Sequence, residues 1–282
     1  MSMGRLVGVL ALVLFAAAGC GGGTSNTGQP AASHPPTAAS PAKASPAKAS
    51  PAATPTVAAK CASEWQDGKG KQVWFKDSSG ASLGGVELGS GTAGVVLAHQ
   101  ADSDACSWLP YGSELAAAGY RVLAFDFPGD GASPAAPPGD SLDKDVLGAA
   151  SFLRGEGAKN VVLMGAAMGA AASLVAASEV APPELPVAGV ISVSSPLQYS
   201  SLNPLATAKK LTAPVLYIGG INDPEMYQAT NGLYAATQGN AKTVLVADSA
   251  KHGADMLKAD APDAAKVRTA VTGFLAAHAP RS

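Results

Sequence analysis

The sequence predicts an α/β domain: a mostly parallel, eight-stranded sheet with helices on both faces, preceded by a disordered linker. Three observations predict it. Short apolar runs recur without the in–out alternation of a half-wetted strand, as expected of strands buried on both faces. Segments of helical character separate them, the pattern of successive βα units. Their boundaries fall at Gly, Pro, Asn and Asp residues, which punctuate turns. A chain of 282 residues, 47% hydrophobic and 14% charged, is long enough for a full single core. The net charge of −2 provides no basic footprint, so no nucleic-acid partner is expected. A monomer without cofactor or metal is the expected state.

Residues 1–19 read as a signal peptide. Arg5 supplies a positive start, and Leu6 to Ala18 is a thirteen-residue apolar or small-residue run, too short to span a bilayer. Ala17-Ala18-Gly19 leads into Cys20. This resembles a bacterial lipoprotein signal, in which the cysteine becomes the lipidated mature N-terminus; Ala17 departs from the leucine usual there. The alternative is an ordinary signal peptide with Cys20 incidental. Residues 20–60 then form the anchor cysteine and a tether. The unit Ser-Pro-Ala-Lys-Ala repeats from Ser40, and nothing large and apolar is present to offset ordering entropy. Of three cysteines, lipidation of Cys20 leaves Cys61 and Cys106 as a pair for a disulfide in an oxidising compartment. Their spacing matches no metal-ligand pattern. The expected location is the outer face of the cytoplasmic membrane or the cell envelope, by lipid anchor.

The domain is expected over residues 61–282. Gln72–Lys76 and Ser82–Glu87 read as a leading hairpin, and Gly94–His99 as a buried strand. Trp108–Ala118 reads as a helix stopped by Gly119, and Arg121–Asp126 as the fourth strand. Leu142–Arg154 is a helix with Ser141 as its N-cap. Asn160–Gly165 is the fifth strand, running through a Gly-x-x-x-Gly turn into a run of helix formers. Val187–Val193, Ala213–Gly219 and Lys242–Ala247 complete the sheet, with helical pieces near 202–210 and Pro224–Ala236 between them. The last helix is expected to start at Pro262, with Val267, Ala270, Val271, Phe274 and Leu275 as its core stripe.

Sites in parallel sheets gather at the carboxyl ends of the strands. His99-Gln100 ends the third strand, Phe127-Pro128-Gly129 follows the fourth and Ala167 the fifth. Ser194-Ser195 follows the sixth, Asn222-Asp223 the seventh, and Lys251-His252-Gly253 the eighth. Each alone is weak: Asp223 before Pro224 is a competent N-cap, and Gln100 could be an ordinary loop residue.

Together, and in this order, they resemble the α/β-hydrolase family across residues 70 to 280. The carriers are His99-Gln100, the turn Asp126-Phe-Pro-Gly-Asp-Gly-Ala-Ser133, the elbow Gly165-Ala166-Ala167-Met168-Gly169, Asp223 and His252-Gly253. The resemblance implies a small, lidless version. It makes Ala167 the nucleophile position, Asp223 the acid and His252 the base, with the N–H groups of Met168 and of Gln100 or Ala101 as the oxyanion hole. Ala167 breaks the pattern, because a methyl group cannot attack a carbonyl. Ser173 lies too far along the helix to substitute, and Ser194 and Ser195 are the remaining hydroxyl candidates.

Three readings follow. One is a surface lipoprotein that keeps the scaffold, has lost acyl-transfer chemistry, and binds a small molecule or an envelope partner. The second is an enzyme, either an ester hydrolase or one using the His252–Asp223 pair as a general base. The third is a serine hydrolase whose nucleophile was deliberately replaced, an idea that retention of the signal segment opposes.

Overall fold

The computed structural model describes residues 56–61, 69–179, 187–239 and 241–281. The expected signal peptide, Cys20 and the tether up to residue 55 lie outside the described residues. Eight strands form one sheet: β1 (Lys71–Lys76), β2 (Ser82–Leu88), β3 (Ala93–Ala98), β4 (Arg121–Phe125), β5 (Asn160–Ala166), β6 (Val187–Val193), β7 (Val215–Gly220) and β8 (Lys242–Ala247). Their order is β1-β2-β4-β3-β5-β6-β7-β8. The β1–β2 and β2–β4 pairings are antiparallel and the others parallel.

Among the described residues, seven α-helices pack around it: α1 (Val57–Lys60), α2 (Leu109–Ala117), α3 (Leu142–Gly155), α4 (Met168–Glu179), α5 (Pro204–Ala208), α6 (Pro224–Ala236) and α7 (Ala264–His278). Among the described residues, no helix is long and apolar enough to cross a membrane. The core has two halves because strand side chains alternate faces. Val95 and Leu97 of β3 join Leu109, Leu115, Val267, Val271 and Leu275 beneath α2 and α7. Val96, with Leu123 and Leu163, joins Val146, Leu153, Leu174 and Leu233 of α3, α4 and α6 on the other face. Every residue of β3 is buried, which explains its unbroken apolar run.

Two expectations need correction, and the N-cap of α3 holds with a different side-chain role. Val57–Lys60, upstream of the expected boundary at residue 61, forms a helical turn whose Val57 is buried in the core. It leads into Cys61, which is disulfide-bonded to Cys106 with Cα atoms 5.0 Å apart. Ser141 is the N-cap of α3 as expected, its carbonyl accepting the Lys144 N–H at 2.9 Å, but its side chain makes no cap bond and donates to the Asp143 carboxylate instead. The last helix begins at Ala264, not Pro262, because Asp263 adopts a left-handed φ of 57°. That conformation lets the Asp263 carboxylate accept the Asp248 N–H at 2.6 Å, joining the start of α7 to the end of β8.

Candidate functional site

The elbow between β5 and α4 is built by close backbone approach. A side chain at Gly165 would overlap the Gly169 carbonyl, and one at Gly169 would overlap the main chain of Ala98 and His99. Both glycines are therefore required by packing, whatever residue stands between them. The Gly169 N–H donates to the His99 carbonyl at 3.1 Å, which fixes the start of α4 against the end of β3. Ala167, at the tip, has φ 44°, and its N–H donates to the Val193 carbonyl at 2.9 Å. A non-glycine residue in this region is uncommon and strained. The chain thus holds the sharp strand-to-helix turn of a nucleophile elbow, with a methyl group at its apex.

The His252 Nδ1 lies 2.9 Å from Asp223 Oδ2. A carboxylate can only accept, so this bond puts the ring proton on Nδ1 and leaves Nε2 as a lone-pair base. Asp223 stands at the N-cap of α6 yet makes no side-chain cap bond there. The bland reading of Asp223 as a helix cap therefore fails: its carboxylate goes to His252. The His252 side chain is 41% exposed and that of Asp223 21%, so the pair is open to solvent and ligand.

Two side chains clamp the loop that carries His252. The Gly253 N–H donates to Ser194 Oγ at 3.1 Å, and the Ala254 N–H donates to Gln100 Oε1 at 3.0 Å. Gly253 has φ 55°, and a side chain there would overlap Gln100 Oε1 and come within 3.1 Å of the Ala166 methyl. The histidine loop thus sits directly against the elbow. Sequence reasoning singled out Gln100 for its main chain and Ser194 as a possible nucleophile; neither clamp was foreseen. A clue was present, since polar residues following β3 and β6, the two strands that flank β5, face the loop after β8.

The turn after β4 is tied to the segment that follows β3. Asp126 is 1% exposed and accepts the N–H groups of Ala105 (2.7 Å) and Ala132 (2.8 Å). Burial pushes its carboxyl up, against those two bonds, which pull it down. Gly131 is needed at φ 48° because a side chain would overlap the Asp126 carboxylate. The Ser133 hydroxyl donates to the Asp126 carbonyl (2.7 Å) and accepts the Gly84 N–H (2.9 Å). His99, fully buried, donates from Nδ1 to the Gln100 carbonyl (2.8 Å) and accepts the Phe127 N–H at Nε2 (3.0 Å). His99 is a bracket, with both nitrogens engaged. Met168 opens α4, where the first N–H groups of a helix have no partner within it.

The candidate hydroxyls are all buried and engaged. Ser173 donates to the Gly169 carbonyl (2.7 Å) and Ser195 to the Pro196 carbonyl (3.1 Å). Ser194 is 0% exposed, with its Oγ 3.5 Å from Met256 Sδ. Beside Asp223 in the chain, Glu225, Met226 and Ala229 of α6 line a depression of about 450 Å³ with Pro196, Leu197 and Gln198.

The comparisons with known proteins agree with this geometry. The profile described as "Alpha/beta hydrolase family" matches residues 89–280. No curated protein matches the chain in sequence. Among solved structures, an esterase from Pyrococcus furiosus superposes with a TM-score of 0.62 at 19% identity, covering 75% of this chain and 92% of that one. An esterase from Exiguobacterium antarcticum gives 0.58 at 14% identity, covering 72% and 99%. A monoacylglycerol lipase from Paleococcus ferrophilus gives 0.57 at 17% identity, covering 70% and 99%. At these identities the likeness speaks for the fold alone.

Proposed function

The chain belongs to the alpha/beta hydrolase family, and on that premise we propose that it is a cell-envelope lipoprotein whose hydrolase scaffold binds a small molecule without cleaving it. One observation carries the reading. The elbow, the Asp223–His252 pair and their braces are assembled, yet the apex is the methyl of Ala167. His252 can accept a proton, but no hydroxyl stands at the elbow to give one. Loss of a triad serine costs on the order of 10⁶ in turnover, leaving ~10³–10⁴ over water from the oxyanion hole and binding.

The test compares wild type with Ala167→Ser. The wild type is expected neither to hydrolyse short acyl esters nor to be labelled by serine-directed phosphonates; Ala167→Ser should gain a label at residue 167. Labelling of the wild type at Ser194 or Ser195 would overturn the reading. A second reading is favoured by the exposure of His252: the pair acts as a general base on water. Its signature is wild-type turnover, without covalent labelling, that disappears in His252→Ala. The envelope location rests on Arg5, the Leu6–Ala18 run and Cys20. It predicts a mature protein beginning at lipidated Cys20 in the membrane fraction, read by mass spectrometry. A different mature N-terminus would remove the anchor from the proposal.

A further inference from the structure

A second convergence of polar groups lies on the side of the sheet edge formed by β1, the edge opposite β8. Asp77 follows β1, Asp140 precedes α3, and Asp145 stands in the first turn of α3. One carboxylate oxygen from each lies within 4.8 Å of those of the other two. Asp145 is 0% exposed, and neither of its oxygens has a hydrogen-bond partner among the described residues. Asp77 is 8% exposed, and its Oδ2 is likewise without a partner. Its Oδ1 is well supplied, accepting the Ser79 N–H (3.0 Å), the Ser79 hydroxyl (2.9 Å) and the Ala81 N–H (2.7 Å). Asp140 Oδ1 accepts the same Ser79 hydroxyl at 2.9 Å and the Ser141 N–H at 2.8 Å.

The packing brings these charges together. Gly148, one turn beyond Asp145, would place a Cβ 2.9 Å from the Asp77 Cα. Glycine at that position lets the end of β1 lie against α3, so the Asp77 and Asp145 carboxylates meet where a larger residue would hold them apart. Burial first, then the charges of Asp140, Asp77 and Asp143, push the Asp145 carboxyl up to about 8. A buried anion left without donor or counter-ion is among the costliest arrangements a fold can contain. Protonating one carboxyl lets it donate to a neighbouring carboxylate, but a single proton then serves three clustered carboxyl groups.

A divalent cation satisfies all three. Two oxygens bound to one Ca²⁺ at ~2.3–2.6 Å can lie up to ~5.2 Å apart, and these three fall inside that limit. All the donors are carboxylate oxygens, the hard ligands Ca²⁺ selects; Mg²⁺ holds its own waters and a stricter octahedron. Access comes through Asp140, which is half-buried and lines a depression of about 220 Å³ with Pro137, Gly139 and Ser141. We propose that Asp77, Asp140 and Asp145 form a Ca²⁺ site that fastens the β1–β2 turn to the start of α3. No sequence motif marks it, because the ligands come from separated segments.

The test uses the full chain, stripped with EDTA and dialysed, in thermal denaturation and calorimetric titration with CaCl₂ and MgCl₂. CaCl₂ at about a hundredfold excess over its Kd should raise Tm by roughly 5–10 °C, with one ion bound per chain and a smaller response to MgCl₂. The increment should vanish in Asp145→Asn and fall sharply in Asp140→Asn, whose half-buried position spares the fold. In EDTA above pH 8, Asp145→Asn should be at least as stable as wild type, since it removes a buried carboxyl that ionises there without a counter-ion. No CaCl₂ response in the wild type overturns the proposal, as does a response that survives unchanged in Asp140→Asn and Asp145→Asn.

Discussion

Replacing Ser194 by alanine separates a structural clamp from a hidden nucleophile. Ser194 is 0% exposed, and its Oγ accepts the Gly253 N–H at 3.1 Å. Removing that oxygen leaves a buried donor unsatisfied, at a cost of ~1–3 kcal/mol. In a domain of this size each kcal/mol moves Tm by roughly 2–4 °C, so Ser194→Ala should lower Tm by about 2–12 °C. Gln100→Ala removes the neighbouring clamp, the 3.0 Å bond from the Ala254 N–H. The double variant should lose less than the sum, because a loop freed at both points lets its N–H groups reach water; the coupling should be ~0.5–3 kcal/mol. Urea unfolding measures the stabilities, and hydrogen exchange at Gly253 and Ala254 reports the loop itself. An unchanged Tm and unchanged exchange at Gly253 in Ser194→Ala would refute the clamp. If that variant also lost a phosphonate label present in the wild type, Ser194 would be the nucleophile.

Two further outcomes follow from packing. Gly169→Ala should cost at least ~3 kcal/mol in urea unfolding, because its side chain would overlap the main chain of Ala98 and His99, which cannot swing aside. Gly273→Ala, on α7 with nothing within 4 Å of the added methyl, should instead gain ~0.5–1 kcal/mol; effects of equal sign would show that the elbow is not tightly packed. The Cys61–Cys106 bond spans a sequence separation of 45 residues, so the double Cys→Ser variant should lose about 4 kcal/mol in the chain-entropy model. Thiol labelling of the denatured, unreduced protein should leave both positions unmodified.

What could be read from the sequence was whatever a local pattern determines. The strand cores were legible because β3 and its neighbours are buried on both faces, and the α7 stripe because Val267, Val271 and Leu275 are fully buried at helical spacing. The Asp126–Ser133 turn was legible because each marked residue makes a short-range bond or avoids an overlap within it. What escaped depends on segments distant in sequence. Val57 joins the domain because it lies just before a cysteine paired with Cys106. Asp263 delays α7 because its carboxylate is taken by the Asp248 N–H. Asp223 lies between the two: the resemblance assigned its carboxylate to His252, which the 2.9 Å contact matches, although before Pro224 its local context is that of an N-cap.

The Asp223–His252 pair itself bears on function, because stability is a poor reason for it. With the two side chains 21% and 41% exposed, such a contact is worth ~0–1 kcal/mol. The loop it joins is already held by the buried Ser194 bond and the Gln100 bond. A staple would not need an open imidazole with its proton fixed on one nitrogen. That arrangement presents a lone pair to whatever occupies the site, beside an elbow whose helix N-terminus offers N–H donors to an anion or a carbonyl oxygen. An acceptor from His252 and donors from the start of α4 suffice to orient a ligand carrying both a hydroxyl and a carbonyl. Under the proposed binding role, with no attacking oxygen at residue 167, the same groups that polarise an ester for cleavage would hold it in place.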